Sequence, residues 1–414
     1  MKRLVEILRS GDWLTTERIR LVAAAIIAVS VASLAYLLVS ANGLVDSQGR
    51  PLGTDFSSFY AAGTYVLEGL PAAPYEPALQ HAREQAMFGP ATPFYSWFYP
   101  PIFLLAAAVM ALMPYGVALA AWLAATLGLY VLAIRAIVPL SLRVATHDWL
   151  LLALAFPAVL VNLGHGQNGF LTAALFGGAL ALLDRRPVVA GILFGLLAYK
   201  PQLGLMIPFA LAASGRWRAL AAAGAAAFAL AIATTVIFGA DVWRAFLNAS
   251  HFARTVVLEQ GDVGFYKMQS LFAWARLWGA PVALAYALQS VLTAVLASVV
   301  AALWRSAAPY ALKAAALCLA AVLATPFVFD YDMMVLAPAI AFLAIDGLER
   351  GFTPWEKTGV AVLWLAPIVA RTFTQATWIP LGVPIMLAIF ILLLRRSTLS
   401  FPSPIAFSSK FLLK

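Results

Sequence analysis

A single cysteine, Cys318, stands among 414 residues, so no disulfide forms within the chain and cysteine usage carries no information on redox compartment. Charge is also scarce. Only 11% of residues are Asp, Glu, Lys or Arg, against about 25% in soluble domains, and water is therefore not the main solvent for this surface. The four histidines, His81, His147, His165 and His251, lack metal-ligand spacing, and no structural metal is expected. No glycine-rich dinucleotide fingerprint, phosphate-binding loop or zinc-protease helix is present. Those absences argue against a cytosolic nucleotide held by such devices and call for no cofactor.

What the chain has in abundance is apolar length. Hydrophobic residues make up 63% of it and the mean hydropathy is +0.90. They gather into runs near 21 to 41, 98 to 113, 115 to 137, 148 to 163, 168 to 183, 188 to 213, 218 to 238, 283 to 303, 309 to 328, 333 to 347, 358 to 373 and 378 to 394. Crossing a hydrocarbon core takes roughly 20 helical residues. Unpaired backbone groups are costly in lipid, and the short alternating segments of a β-barrel are missing, so the runs are predicted to be helices. The expected fold class is all-α, one polytopic membrane domain over 1–414. Lys2, Arg3, Arg9, Arg18 and Arg20 precede the first run, which is longer than a signal-peptide core and is read as an uncleaved span.

Lys and Arg concentrate in short cytoplasmic loops. The N-terminal cluster, Arg216 and Arg218, Arg305 with Lys313, Arg350 with Lys357, and Arg395 with Arg396 fall on one side if the later runs alternate, and that side is read as cytoplasmic. The formal charge of +9 then needs no nucleic-acid partner. The other side receives two long segments, 42–97 and 239–282, and loops of that length are usually functional. The run 188 to 213 fits two topologies. Crossing once, it strands Arg185 and Arg186 outside and puts Lys200-Pro201 at mid-membrane. As a broken hairpin with Lys200 near the outer surface, it returns both arginines to the cytoplasm, but one run between 98 and 163 then cannot span. Proline after lysine favours the break.

The polar residues on the outer side are the candidates for chemistry. Asp55, just beyond the first span, is a general base at the membrane surface or a helix N-cap. Asn162, His165, Gln167 and Asn168 make a glycine-punctuated polar break between two runs, able to hydrogen-bond a sugar-like substrate. Lys200, expensive in an apolar stretch, is a natural partner for a phosphate, or it snorkels to the interface. Tyr266-Lys267-Met268-Gln269-Ser270 and Arg276 supply aromatic and basic groups that also suit interface anchoring. Asp330 and Asp332 flank Tyr331 at an outer junction; two acids there suggest a metal pair only weakly, and Asp332 also suits a helix cap.

In order along the chain, Asp55 with Tyr60-Ala61-Ala62-Gly63, Tyr99-Pro100-Pro101, Gly166-Gln167-Asn168, Lys200-Pro201, Gln269-Ser270-Leu271, and Thr325-Pro326 with Tyr331-Asp332 resemble glycosyltransferase family 87. That family contains bacterial polyprenyl-phosphate-mannose-dependent α-mannosyltransferases. The resemblance covers roughly 50 to 345. It implies a GT-C fold with about 10 to 12 spans and large extracytoplasmic loops, an extracytoplasmic active site and a bacterial inner-membrane location. It also implies a polyprenyl-phosphate-sugar donor, commonly mannose, and a lipid or glycan acceptor, with no cofactor. Asp55 matches the family's catalytic base. Tyr60, Tyr99, His165, Gln167, Asn168, Lys200, Lys267, Gln269, Ser270, Arg276, Tyr331 and Asp332 are the expected substrate contacts, with Lys200, Lys267 or Arg276 steadying the leaving phosphate. The chain departs from the pattern at Asp330, where many relatives carry histidine before the tyrosine, and at Met268, where asparagine is frequent. The rival from another class is a transporter with a midplane site around Lys200, although no internal repeat is visible. A non-catalytic membrane scaffold is the other. Convergence of Asp55, Lys200 and Gln269 favours the enzyme.

Overall fold

The computed structural model describes residues 2–398; residues 1 and 399–414 of the expected single domain lie outside the described residues. Every extended element among the described residues is helical, with three isolated β-bridges and no strand. Six helices are long and apolar enough to cross a bilayer: Thr16–Val39, Tyr115–Ile137, Trp217–Phe238, Val282–Arg305, Asp330–Arg350 and Glu356–Thr377. A seventh crossing is available from Asp148–Leu154 and Pro157–His165, bent by 46°. Pro157 opens the second arm, where a missing N–H costs nothing.

These helices divide into a rim and a centre. Thr16–Val39 and Trp217–Phe238 bury little, and they expose Leu21, Val29, Val31, Phe228 and Val236 as a lipid-facing surface. Tyr310–Leu323, by contrast, is buried at every residue from Ala314 to Leu323. Its 14 residues rise about 21 Å, less than the roughly 30 Å hydrocarbon core, but protein surrounds it on all sides. Gly169–Leu182 is a second short central helix of this kind.

One end of the bundle gathers the basic residues. Arg20 pairs with Asp148 at 2.7 Å, Arg216 with Asp184 at 2.6 Å, and Arg396 with both Asp346 and Glu356 at 2.5 Å. The N-terminal helix Lys2–Ser10 docks there too, its Arg9 carbonyl accepting from the Trp355 amide. Asp184 carries its neighbours Arg185 and Arg186 to this end, so the broken-hairpin arrangement of 188–213 is the one adopted. Pro187–Leu196 and the short turn Leu197–Tyr199 rise to Lys200, and Pro201–Gly204 and Ile207–Ala213 return. On the rising arm Gly191 and Gly195 face the backbone of Ala219 and Ala223 in Trp217–Phe238. Small residues one turn apart let two helices approach closely without a large side chain between them.

The run that does not cross is 98–113. Its first residues are irregular, and Ile102–Ala111 packs on Phe56–Leu67 at the end opposite the basic cluster. The chain is still at that end at Tyr115, whose hydroxyl donates to the Leu52 carbonyl at 2.6 Å. At the same end, Tyr75 of the first long segment meets Phe246 of Asp241–Phe252 in the second, with ring centroids 6.0 Å apart.

Candidate functional site

The end opposite the basic cluster is where the polar motifs meet. Asp55 occupies the N-cap position of Phe56–Leu67, yet its side chain makes no capping hydrogen bond. Its carboxylate instead accepts from Gln167 Nε2 at 2.9 Å. Gln167 is delivered by a tight turn: Pro157–His165 ends at Gly166, which adopts φ +62° and lets the chain turn back into Gly169–Leu182. A side chain at Gly166 would be strained there and would strike Phe56. The turn also places His165 Nδ1 2.6 Å from Thr54 Oγ1, beside Asp55.

Tyr99 connects this carboxylate to a second acid. Its hydroxyl lies 3.4 Å from Gln167 Oε1, and both Asp55 and Asp332 act electrostatically on it. Lys200 Nζ sits 5.9 Å from the Tyr99 ring centroid and 4.9 Å from that of Tyr331. It pairs with Asp332 Oδ1 at 2.5 Å, with both side chains almost wholly buried. The other oxygen of Asp332 accepts from the Phe329 amide, so this acid is a helix cap and an ion-pair partner together. Asn162 ties the turn to the same segment by donating to the Tyr331 carbonyl and accepting from the Gly169 amide.

Two fully buried amides stand out. Neither side-chain polar atom of Asn168 nor of Gln269 reaches a hydrogen-bond partner among the described residues. Burying such groups unpaired costs about 1–3 kcal/mol each. Gln269 is tied to the segment that leads to Tyr331 and Asp332, its backbone N–H donating to the Val328 carbonyl beside the Met268–Phe329 bridge, and its side chain lies against Gly382.

Other expected contacts have structural partners. The Tyr60 hydroxyl donates to the Met113 carbonyl at 2.8 Å and its ring packs on Phe56 and Tyr115. Ser270 caps Leu271–Leu277 by accepting from the Ala273 amide. The Arg276 guanidinium donates to the carbonyls of Glu259 and Ala280, clamping the second long segment. Lys267 is half-buried over the Tyr266 ring. Among the described residues no group of three His, Cys, Asp or Glu is arranged to hold a metal ion. Asp330 pairs with Arg371 at 3.6 Å.

Residues 97–326 match the sequence model of glycosyltransferase family 87. The chain belongs to glycosyltransferase family 87. The match covers more than half of this multi-pass membrane glycosyltransferase, from Trp97 to Pro326, and takes in Tyr99, the Gln167 turn, Lys200 and Gln269. Asp55, Tyr331 and Asp332 lie outside the matched stretch but are joined to it by the contacts above. No curated protein and no solved structure matches this glycosyltransferase with significance.

The glycosyltransferase also holds a buried acid, within electrostatic reach of Asp55, that sequence patterns did not single out. Glu84, on Pro77–Phe88, is buried and accepts from the Tyr95 amide at 3.0 Å and from Gln80 at 3.4 Å. Burial pushes its carboxyl up to about 8, and the nearby charge of Asp55 adds to the rise. Folding is therefore coupled to a protonated Glu84. Stability from this group is full below its ordinary value of 4.5 and is lost as pH rises towards about 8. Glu84→Gln should flatten that decline: the melting temperature of the parent falls across this window relative to the variant, by an amount worth a few kcal/mol. Identical pH profiles for the two proteins would refute it.

Gly169 gives a second test. A Cβ there would lie 2.5 Å from the Tyr331 carbonyl oxygen and would also strike the Asn162 side chain. Gly169→Ala is expected to cost about 1–3 kcal/mol by overpacking, read as a lowered melting temperature. An unchanged melting temperature would mean that the turn and the Tyr331 segment are not packed this closely.

Proposed function

We propose that the protein moves a sugar, with mannose the first candidate, from a polyprenyl-phosphate-sugar to a lipid or glycan acceptor, on the extracytoplasmic face of a bacterial inner membrane. Asp55 is the base. The acceptor hydroxyl attacks the anomeric carbon, its proton passes to the Asp55 carboxylate, and the bond from that carbon to the phosphate oxygen breaks as polyprenyl phosphate leaves. The leaving group is already an anion of low basicity, so no general acid is needed. A single displacement inverts the anomeric centre. The observation that carries this reading is the Asp55 carboxylate held by Gln167 rather than spent on its helix cap, close to the Lys200–Asp332 pair.

The other residues take supporting parts. His165, Gln167, Asn168 and Gln269 would bind sugar hydroxyls, and unpartnered amides at Asn168 and Gln269 suit a ligand that brings its own donors and acceptors. The basic cluster at the opposite end fits a cytoplasmic face by the positive-inside rule. Adding Gly169–Leu182, Tyr310–Leu323 and Gly382–Thr398 to the seven long crossings gives ten among the described residues, and the two hairpin arms bring the number to twelve.

The test uses purified protein in lipid with radiolabelled polyprenyl-phosphate-mannose and a membrane-lipid extract as acceptor. Label appearing in the acceptor fraction is expected. Label that stays on the donor while the intact lipid-linked sugar changes leaflet would favour a transporter instead.

A further inference from the structure

A groove of about 380 Å³ lies between Thr16–Val39, the bent pair ending at His165, and Glu356–Thr377. Its walls are apolar, with Ile26, Leu34, Leu37, Leu160, Val161 and Ile368 along them. Its polar end carries His165, Asp330 and Arg371. His165 is the residue bonded to Thr54, next to Asp55, and Asp330 stands two residues before Asp332. The groove thus reaches residues that adjoin the site, and two of its walls, Thr16–Val39 and Glu356–Thr377, are helices long and apolar enough to cross a bilayer.

Arg371 is the cation best placed to meet an anion there. Lys200 is buried and neutralised by Asp332, and the Arg276 guanidinium is occupied by two backbone carbonyls. Arg371 stands 3.6 Å from Asp330 Oδ2, its side chain is 37% exposed, and its guanidinium makes no hydrogen bond among the described residues. It lies 5.9 Å from the centroid of the Tyr266 ring, and Lys267 Nζ lies 5.8 Å from the same ring. Arg371 therefore stands at the polar end with one acid, Asp330, facing it and His165 in the same lining. An arginine fork engages a phosphate by two parallel hydrogen bonds.

We propose that this groove takes the prenyl chain of the lipid-linked donor and that Arg371 binds its phosphate. The inference rests on the donor class proposed above and adds where the donor enters and which cation holds it. Arg371 exchanges its long contact with Asp330 for direct hydrogen bonds to the phosphate, and after transfer it carries the charge of the departing polyprenyl phosphate.

The test measures binding of radiolabelled undecaprenyl phosphate, which carries no sugar, to the full protein in nanodiscs. Arg371→Gln should weaken binding by about tenfold or more while Arg371→Lys keeps most of it. The double variant Asp330→Asn with Arg371→Gln separates a phosphate role from a purely structural one. If Arg371 contacts phosphate the double variant stays weak; if Arg371 only neutralises Asp330, binding returns and the proposal falls. Parent-like affinity in Arg371→Gln also overturns it, leaving the donor class intact. A parent that binds no undecaprenyl phosphate overturns both. Leu34→Trp, which fills the groove, should weaken binding as well. If it raises only the acceptor KM and leaves undecaprenyl phosphate affinity unchanged, the groove belongs to the acceptor and the proposal is wrong.

Discussion

Asp55→Asn is expected to lower sugar transfer by about 10²–10⁴-fold, the usual contribution of a positioned general base. The substitution keeps the shape of the side chain and still offers an oxygen to Gln167 Nε2, so the turn 162–168 should hold its place. What it removes is the proton acceptor. Because no capping bond is lost at the start of Phe56–Leu67, the melting temperature should change little. A folded Asp55→Asn protein with parental turnover would take Asp55 out of the chemistry. Gln167→Leu should give a smaller loss, since it frees the carboxylate without removing it.

The largest stability effect is expected at Lys200. Replacing it with methionine leaves Asp332 charged and unpaired in a site that is nearly closed to solvent. Breaking a buried pair from one side costs about 3–5 kcal/mol. Adding Asp332→Asn should recover most of that loss, because the asparagine oxygen can still accept from the Phe329 amide. Thermal unfolding of the parent, the single variant and the double variant checks this. A single variant as stable as the parent would mean that the pair is solvated, contrary to its burial. The double variant should fold and yet transfer poorly, since the charges that shape the surroundings of Tyr99 and Tyr331 are gone.

Much of the architecture was legible because the bilayer imposes it. Apolar length predicted helices, and the distribution of Lys and Arg predicted which ends belong together; the Trp355 amide on the Arg9 carbonyl, Arg216 over the Trp304 and Tyr310 rings, and the Arg396–Asp346 pair each join two of those segments. Apolar length failed at 98–113, since a run buried against Phe56–Leu67 reads the same as one facing lipid. The contacts reveal the difference: Ile102–Ala111 packs on Phe56–Leu67, and Tyr115 beyond it is still at the same end, bonded to the Leu52 carbonyl. Lys200-Pro201 announced the hairpin through the cost of a charge and the geometry of proline.

The site was legible residue by residue but not as a set of partners. Lys200 was noticed as a charge in an apolar run; that Asp332, 132 positions away, neutralises it is a tertiary fact. Arg276 was read as a free cation because the sequence does not display the carbonyls of Glu259 and Ala280 that occupy it. Arg371 could have been found by the reasoning that found Lys200, since it too falls within an apolar run, 358–373. Glu84 gave no signal, lying in an ordinary amphipathic stretch whose burial arises only when Pro77–Phe88 folds back on Phe56–Leu67.

The most direct test of the account is a transfer reaction with a donor labelled twice, on the sugar and on the phosphate. The purified protein in nanodiscs would be given polyprenyl-phosphate-mannose carrying both labels, with nucleotide-mannose as a parallel donor. The account predicts that sugar label moves to the acceptor while phosphate label remains on polyprenyl phosphate in equal amount, and that the nucleotide donor yields nothing. Sugar and phosphate moving together, or transfer from the nucleotide donor, would contradict it.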